Sequence, residues 1–124
     1  MLPRAARLCK NRDFQAVYSR RRSWTTPRLV LYVRPRGPQS GPSRFGFVIS
    51  KKIAKRAHDR NRLKRRLREI CRHDLLPRLH PGMVADALFV TRTPAPAATF
   101  AELAADVDLL MRQAGLLASR PPLL

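Results

Sequence analysis

Residues 59–72 read DRNRLKRRLREICR, in which seven of fourteen side chains are cationic and only Asp59 and Glu69 oppose them. Inside that charge, Leu63, Leu67, Ile70 and Cys71 recur at helical spacing and fall within about 100° of arc. Asn61, Arg65, Arg68 and Arg72 fall opposite, within about 60°, with Lys64 and Arg62 flanking them. An apolar stripe needs a packing partner, so the segment is no free basic tail. It reads as a helix over about 58–73, buried on one side, cationic on the other and closed by Pro77.

A solvated helix face usually mixes signs so that residues four apart attract. Here the pairs 60/64, 62/66, 64/68 and 68/72 are all like-charged. Each repels by about 0.2–0.5 kcal/mol, so the helix tolerates roughly 1–2 kcal/mol of self-repulsion. Phosphates would relieve it. The whole chain agrees: its net charge is +18 and its pI about 11.8. An imbalance of that size argues for a polyanionic partner and says nothing of fold. Lys51 to Arg72 carries eleven cations and two acids, whereas Thr99 to Ala118 has three acids and one arginine. Arginine outnumbers lysine 21 to five, which suits bidentate phosphate contacts, although biased composition would produce the same ratio.

The remaining pattern supplies a sheet and two more helices. Phe14, Val17 and Tyr18 mark a first helix over about 11–20, with Asn11 as its expected N-cap. RLVLYVR (28–34), RFGFVIS (44–50) and DALFVTR (86–92) read as strands, with a further short one near 22–26. In the second, Phe45, Phe47 and Ile49 should share one side, and Gly46, Val48 and Ser50 the other. PRGPQSGPS (35–43) reads as a mobile connection. The last helix, about 100–114, opens on the capping box formed by Thr99 and Glu102. Its stripe is expected to be Phe100, Leu103, Ala104, Val107, Leu110, Met111 and Ala114, with Gly115 just past its end. This order implies an α/β sandwich of one sheet with helices packed on it. One domain is expected over 1–118, with 119–124 a loose tail.

SKK (50–52) followed by RNRLKRRLRE (60–69) resembles the signature of the bacterial ribonuclease P protein subunit. DFQAVY (13–18) is similar to that family's first helix, LVLYV to an outer strand, FGFVISKK to the approach to the basic loop, and ALFVTR to the strand after the helix. The spacer KKIAKRAHDRNR departs from the Gly-containing form of the loop and resembles a variant one residue longer, which bears on the geometry of 53–59. The resemblance implies a two-layer α/β sandwich of the ribosomal protein S5 domain 2-like kind, with a left-handed βαβ crossover. Periodicity alone would suggest the common right-handed one. It also implies a protein that assists a catalytic RNA in endonucleolytic removal of the 5′ leader from precursor tRNA. Contacts to the RNA subunit then pass to Lys51, Lys52, Arg60, Asn61, Arg62, Lys64, Arg65 and Arg68, and a leader-binding cleft to Phe14, Tyr18 and Tyr32. Stacking and backbone charge suit a strand without fixed sequence. Phe14 could equally be ordinary core.

Other classes fit less well. His58, His73 and His80 have no second acid or base fixed beside them, and no carboxylate cluster marks a two-metal nuclease, so no catalytic residue is expected in the protein itself. His73 and His80 near Cys71 match no common zinc spacing. No bound metal or cofactor is expected, Mg²⁺ belonging to the RNA subunit, and no small-molecule substrate. Cys9 and Cys71 make no disulfide framework. With no secretory h-region and no apolar run near 18 residues, a cytoplasmic chain is expected. A ribosomal assembly protein would share charge and fold but would not stimulate leader removal. A membrane-surface protein would need its apolar stripe exposed.

Overall fold

The computed structural model describes residues 4–8, 10–20, 22–36, 41–50, 52–75, 78–79, 84–92 and 98–117. Lys51, Pro77, residues 37–40 of the connection and the tail 119–124 lie outside the described residues. After a 3-10 turn at Arg4–Ala6 come helix α1 (Asn11–Ser19) and strands β1 (Ser23–Thr25), β2 (Leu29–Arg36) and β3 (Arg44–Val48). Helix α2 (Ala57–Ile70), strand β4 (Val84–Thr91) and helix α3 (Phe100–Gln113) complete the order. The basic helix continues beyond Ile70 as one wider π-type turn, Cys71–Leu75.

The strands form one mixed sheet in the order β1-β2-β4-β3. β1 and β4 run antiparallel to β2, while β3 lies parallel to β4 and reaches it through α2. A parallel pair needs such a crossover, and the basic helix supplies it. Period-two alternation then splits the sheet into two faces. Leu29, Leu31, Val33, Phe45, Ala85, Ala87 and Phe89 pack against Leu63, Leu67 and Ile70 of α2 and Leu103, Val107, Leu110 and Met111 of α3. The opposite face carries Tyr32, Val48, Leu88 and Val90, which pack with Phe14, Val17 and Tyr18 of α1. Helices α2 and α3 thus form the main helical layer, and among the described residues α1 is the α-helix on the other face, packed there with Leu8.

This arrangement explains how the basic helix survives its charge. Leu67, Ile70 and Cys71 are fully buried and Leu63 nearly so. Each fully buried leucine or isoleucine contributes about 1.5–3 kcal/mol. Leu67 and Ile70 alone outweigh roughly 1–2 kcal/mol of repulsion on the far side.

Helix α3 is held by local and distant bonds. The Glu102 N–H donates to Thr99 Oγ1 (3.1 Å) and the Thr99 N–H to Glu102 Oε1 (2.9 Å), which closes the capping box. Gly115 has φ 75°, the left-handed conformation a helix C-terminus favours. Arg28, in the β1–β2 connection, donates to Glu102 Oε2 (2.7 Å) and Asp106 Oδ2 (3.1 Å).

Pro35 and Arg36, expected in the mobile connection, extend β2 and pair with Ala85 and Val84, and β2 lies between β1 and β4 rather than at the outer edge of the sheet. Two expectations about helix starts are corrected as well. Asn11 is the first helical residue of α1, and Lys10 takes the N-cap position with no side-chain cap bond. The chain enters this helix from a tertiary tether, the Leu8 N–H donating to Phe45 O (2.7 Å), which sets where the helix starts. Phe100 is 46% exposed and does not belong to the buried stripe of α3. At the first helical position it lies ahead of the buried turn that starts at Leu103.

Candidate nucleic-acid interface

The face of the sheet under α1 is organised by strand register into three rows. Arg34, Asp86 and Arg44 are successive partners across β2, β4 and β3, followed by Tyr32, Leu88 and Gly46, and then by Val30, Val90 and Val48. Helix α1 covers the middle row, with Val17 wholly buried. The three valines of the last row remain only partly buried.

Gly46 lets the helix come this close. A Cβ there would lie 2.8 Å from Phe14 Cε1 and 3.0 Å from Leu8 Cβ, closer than packed atoms sit. A glycine inside a strand often marks such an approach. Phe14 is therefore half-buried against the sheet, and both of its expected roles, core and cleft wall, are compatible with where it sits.

Tyr18 of α1 and Tyr32 of β2 meet edge to face, with ring centroids 5.0 Å apart and planes at 70°. Both are half-buried, each with an apolar body in the cluster and part of its surface open. Burial, and then the neighbouring Tyr32, push the Tyr18 phenol above its ordinary pKa. The ring stays uncharged at neutral pH and adds no negative charge to this face.

The charged row is anchored on Asp86, which has no solvent exposure. Arg44 donates to it through Nε and Nη2, both at 2.8 Å, and Arg36 through Nη1 at 3.3 Å. Arg34 stands farther off, its Nε 3.7 Å away. Arg44 also reaches Asp13 of α1 at 3.3 Å, tying the helix to the sheet. The hydrogen bonds to Asp86 raise the Arg44 pKa, so its charge is permanent. Three arginines against two carboxylates leave this end of the face positive.

The expected basic residues do not act alike. Lys52, Asn61, Arg62 and Arg65 are exposed. Lys64 and Arg68 are half-buried and line a cleft of about 290 Å³ together with Arg7, Leu8, Phe14, Phe45, Gly46 and Phe47. One flank of the basic helix therefore opens directly beside an aromatic of α1. Arg60 is turned inward: its Nη1 donates to Ala54 O (3.0 Å) and Lys55 O (2.8 Å), pinning the loop before α2. Arg72, in the cationic row, is bonded to Glu69 at 3.2–3.3 Å, and that bond holds the Glu69 carboxyl below its usual pKa.

Sequence reasoning missed Arg7, Leu8 and Phe47 on the cleft wall and Arg66 and Lys55 on the helix's other flank. Gly46 was the signal available for the cleft. Among the described residues no group of three His, Cys, Asp or Glu is placed to hold a metal ion, and no helix is long and apolar enough to cross a membrane.

Comparison with known proteins adds a family. The family model described as Ribonuclease P matches residues 2–115. A ribonuclease P protein component from Synechococcus sp. is 41% identical over 121 residues, covering 96% of this chain and 89% of that protein. The solved RNase P protein of Staphylococcus aureus superposes with a TM-score of 0.79 at 25% identity, covering 93% of this chain and 100% of that one. A Staphylococcus aureus RNase P protein mutant, described as having defective mRNA degradation activity, superposes with a TM-score of 0.78 at 25% identity, covering 91% of each chain.

Proposed function

The chain belongs to the ribonuclease P protein family, and from that membership we propose that it is the RNA-binding subunit of an endoribonuclease whose chemistry resides in RNA. In this reading it assists removal of the 5′ leader from precursor tRNA in the cytoplasm. Mg²⁺ is held by the RNA subunit and the substrate, and the protein contributes binding. Residues 1–118 act as one domain.

One observation carries this reading. Lys64 and Arg68 of the basic helix share a cleft with Phe14 of α1, and Phe14 is one turn from the Tyr18–Tyr32 pair. Cations beside aromatic rings are what a single strand of variable sequence needs: charge for its phosphates and π-faces for its bases. The outer residues Asn61, Arg62 and Arg65, with Lys52 of the preceding loop and Lys51, its neighbour in sequence, are left to the RNA subunit. Arg60 serves that contact by shaping the loop.

Reconstitution tests the proposal. Added to a bacterial RNase P RNA, the protein is expected to make pre-tRNA cleavage efficient at low Mg²⁺, whereas RNA-free protein should leave pre-tRNA intact. Cleavage by rigorously purified, RNA-free protein would place the chemistry in the polypeptide and overturn the assignment. An mRNA substrate belongs in the same RNA-free arm, given the Staphylococcus aureus mutant.

A further inference from the structure

The other flank of α2 carries a second concavity, of about 380 Å³, lined by Ile53, Ala54, Lys55, Asp59, Arg62, Leu63 and Arg66. Among the described residues it shares no lining residue with the cleft beside Phe14. Its volume lies in the range of small-ligand sites, roughly 300–1,000 Å³, and is too small for a duplex.

The chemistry of the wall is specific. Leu63 and Ala54 are buried and Ile53 half-buried, which makes an apolar floor. Lys55, Arg62 and Arg66 supply three cations at the rim. Arg62 and Arg66 are four residues apart on one helix and repel until an anion sits between them. Asp59 is the single carboxylate of the lining, and among the described residues it has no ion-pair partner. The loop wall is built rather than slack. The Ile53 and Ala54 N–H groups both donate to Ser50 O, at 3.0 and 3.2 Å, and Arg60 clamps the carbonyls of Ala54 and Lys55. A preformed wall loses little entropy on binding.

We infer that this pocket takes one unpaired nucleotide of the RNA partner. The phosphate lies between Arg62, Arg66 and Lys55, and the base lies on Ile53 and Leu63. Asp59 selects bases that carry an amino donor. An ionised carboxylate only accepts hydrogen bonds, so it suits guanine, whose N1–H and amino group both donate. Uracil offers a single N–H. The inference rests on the RNA-binding reading above and deepens it, giving Arg62, already left there to the RNA subunit, a defined pocket distinct from the cleft beside Phe14.

The test is an amide-shift titration of the full chain with guanosine monophosphate, uridine monophosphate and inorganic phosphate. Guanosine monophosphate should produce saturable shifts at Ile53, Ala54, Lys55 and Leu63, and uridine monophosphate should bind several-fold more weakly. Inorganic phosphate should leave Ile53 and Leu63 unmoved. Arg62→Ala combined with Arg66→Ala should weaken guanosine monophosphate by about tenfold or more, as loss of charge-assisted bonds implies. Asp59→Asn should abolish the preference over uridine monophosphate. The inference is overturned if the shifts cluster at Phe14 and Gly46 instead, if phosphate alone reproduces them, or if the two nucleotides bind equally. Stimulation of RNase P RNA by the same preparation is scored separately. Stimulation without nucleotide shifts at the pocket sinks this inference alone, and pocket binding without stimulation sinks the functional reading alone.

Discussion

Arg44 and Asp86 face each other across parallel strands β3 and β4, joined by two hydrogen bonds of 2.8 Å, one from each of two guanidinium nitrogens to each carboxylate oxygen. The carboxylate has no solvent exposure, and the guanidinium side chain keeps 22% of its own. The pair fixes the register of the βαβ unit and, through Asp13, the seat of α1. Removing one partner of a buried pair leaves the other uncompensated, which costs about 3–5 kcal/mol. Asp86→Asn should therefore lower urea stability by that amount. Arg34→Ala, with its Nε 3.7 Å away, should cost at most about 1 kcal/mol. Equal losses in the two variants would show that the pairing with Arg44 is not what stabilises this row.

The Tyr18–Tyr32 contact predicts a difference between precursor and product. Mature tRNA lacks the leader, so a leader-stacking ring contributes to precursor affinity alone. Stacking of one base on an aromatic ring is worth about 1–3 kcal/mol. Tyr18→Ala or Tyr32→Ala should weaken precursor binding by roughly five- to a hundredfold, with mature tRNA little affected. Tyr→Phe at either position keeps the ring and should behave as wild type. The measurement is a titration of each tRNA against RNA subunit saturated with wild-type or variant protein. Equal weakening of both ligands would make these tyrosines structural.

Helix α2 should separate binding from folding residue by residue. Arg65 is exposed and Arg68 half-buried on the cleft side, so truncating either opens no cavity in the core. Arg65→Ala and Arg68→Ala should weaken RNA binding, and each phosphate released from the protein should lower the log–log salt slope by about 0.7–0.9. Their thermal unfolding should stay close to wild type. Leu67→Ala empties a fully buried site and should destabilise by about 2–5 kcal/mol. Unchanged affinity and slope in both arginine variants would contradict the assignment of faces.

The cap of α3 predicts an acid-sensitive limb. Glu102 is held below its ordinary carboxyl pKa by the hydrogen bond from the Thr99 backbone, then by the Thr99 side chain and the charge of Arg28. With a depressed folded pKa, the unfolded chain takes up this proton first as pH falls. The contribution is present above the ordinary value of 4.5 and is lost as pH drops through the folded value. Glu102→Gln should therefore be less stable than wild type at neutral pH, and the gap should close in acid. Thr99→Ala should cost about 0.5–2 kcal/mol at any pH. A gap between wild type and Glu102→Gln that persists undiminished below the folded pKa would remove the carboxylate from the account.

Most of what depended on neighbours within a turn or two was determined by the sequence alone. The stripe of α2, the Thr99–Glu102 box, the place of Gly115 and the period-two split of Phe45, Phe47 and Ile49 from Gly46 and Val48 all emerged as expected. These features are set by the helical and strand repeats and by hydrogen bonds three or four residues long. Long-range pairings were decided only in the tertiary structure. Nothing local says that Arg44 meets Asp86, 42 residues away, or that Tyr18 meets Tyr32. Nor does it show that Arg60, indistinguishable from its neighbours by charge, folds back onto Ala54 and Lys55. Asn11 does not cap α1 because a bond from Leu8 to Phe45 sets the entry of that helix, and Phe100 stays exposed because α3 starts ahead of the core. Periodicity tells a side chain which face it shares. Which partner it meets there depends on how strands align and helices dock, a choice made by the packing of the whole chain.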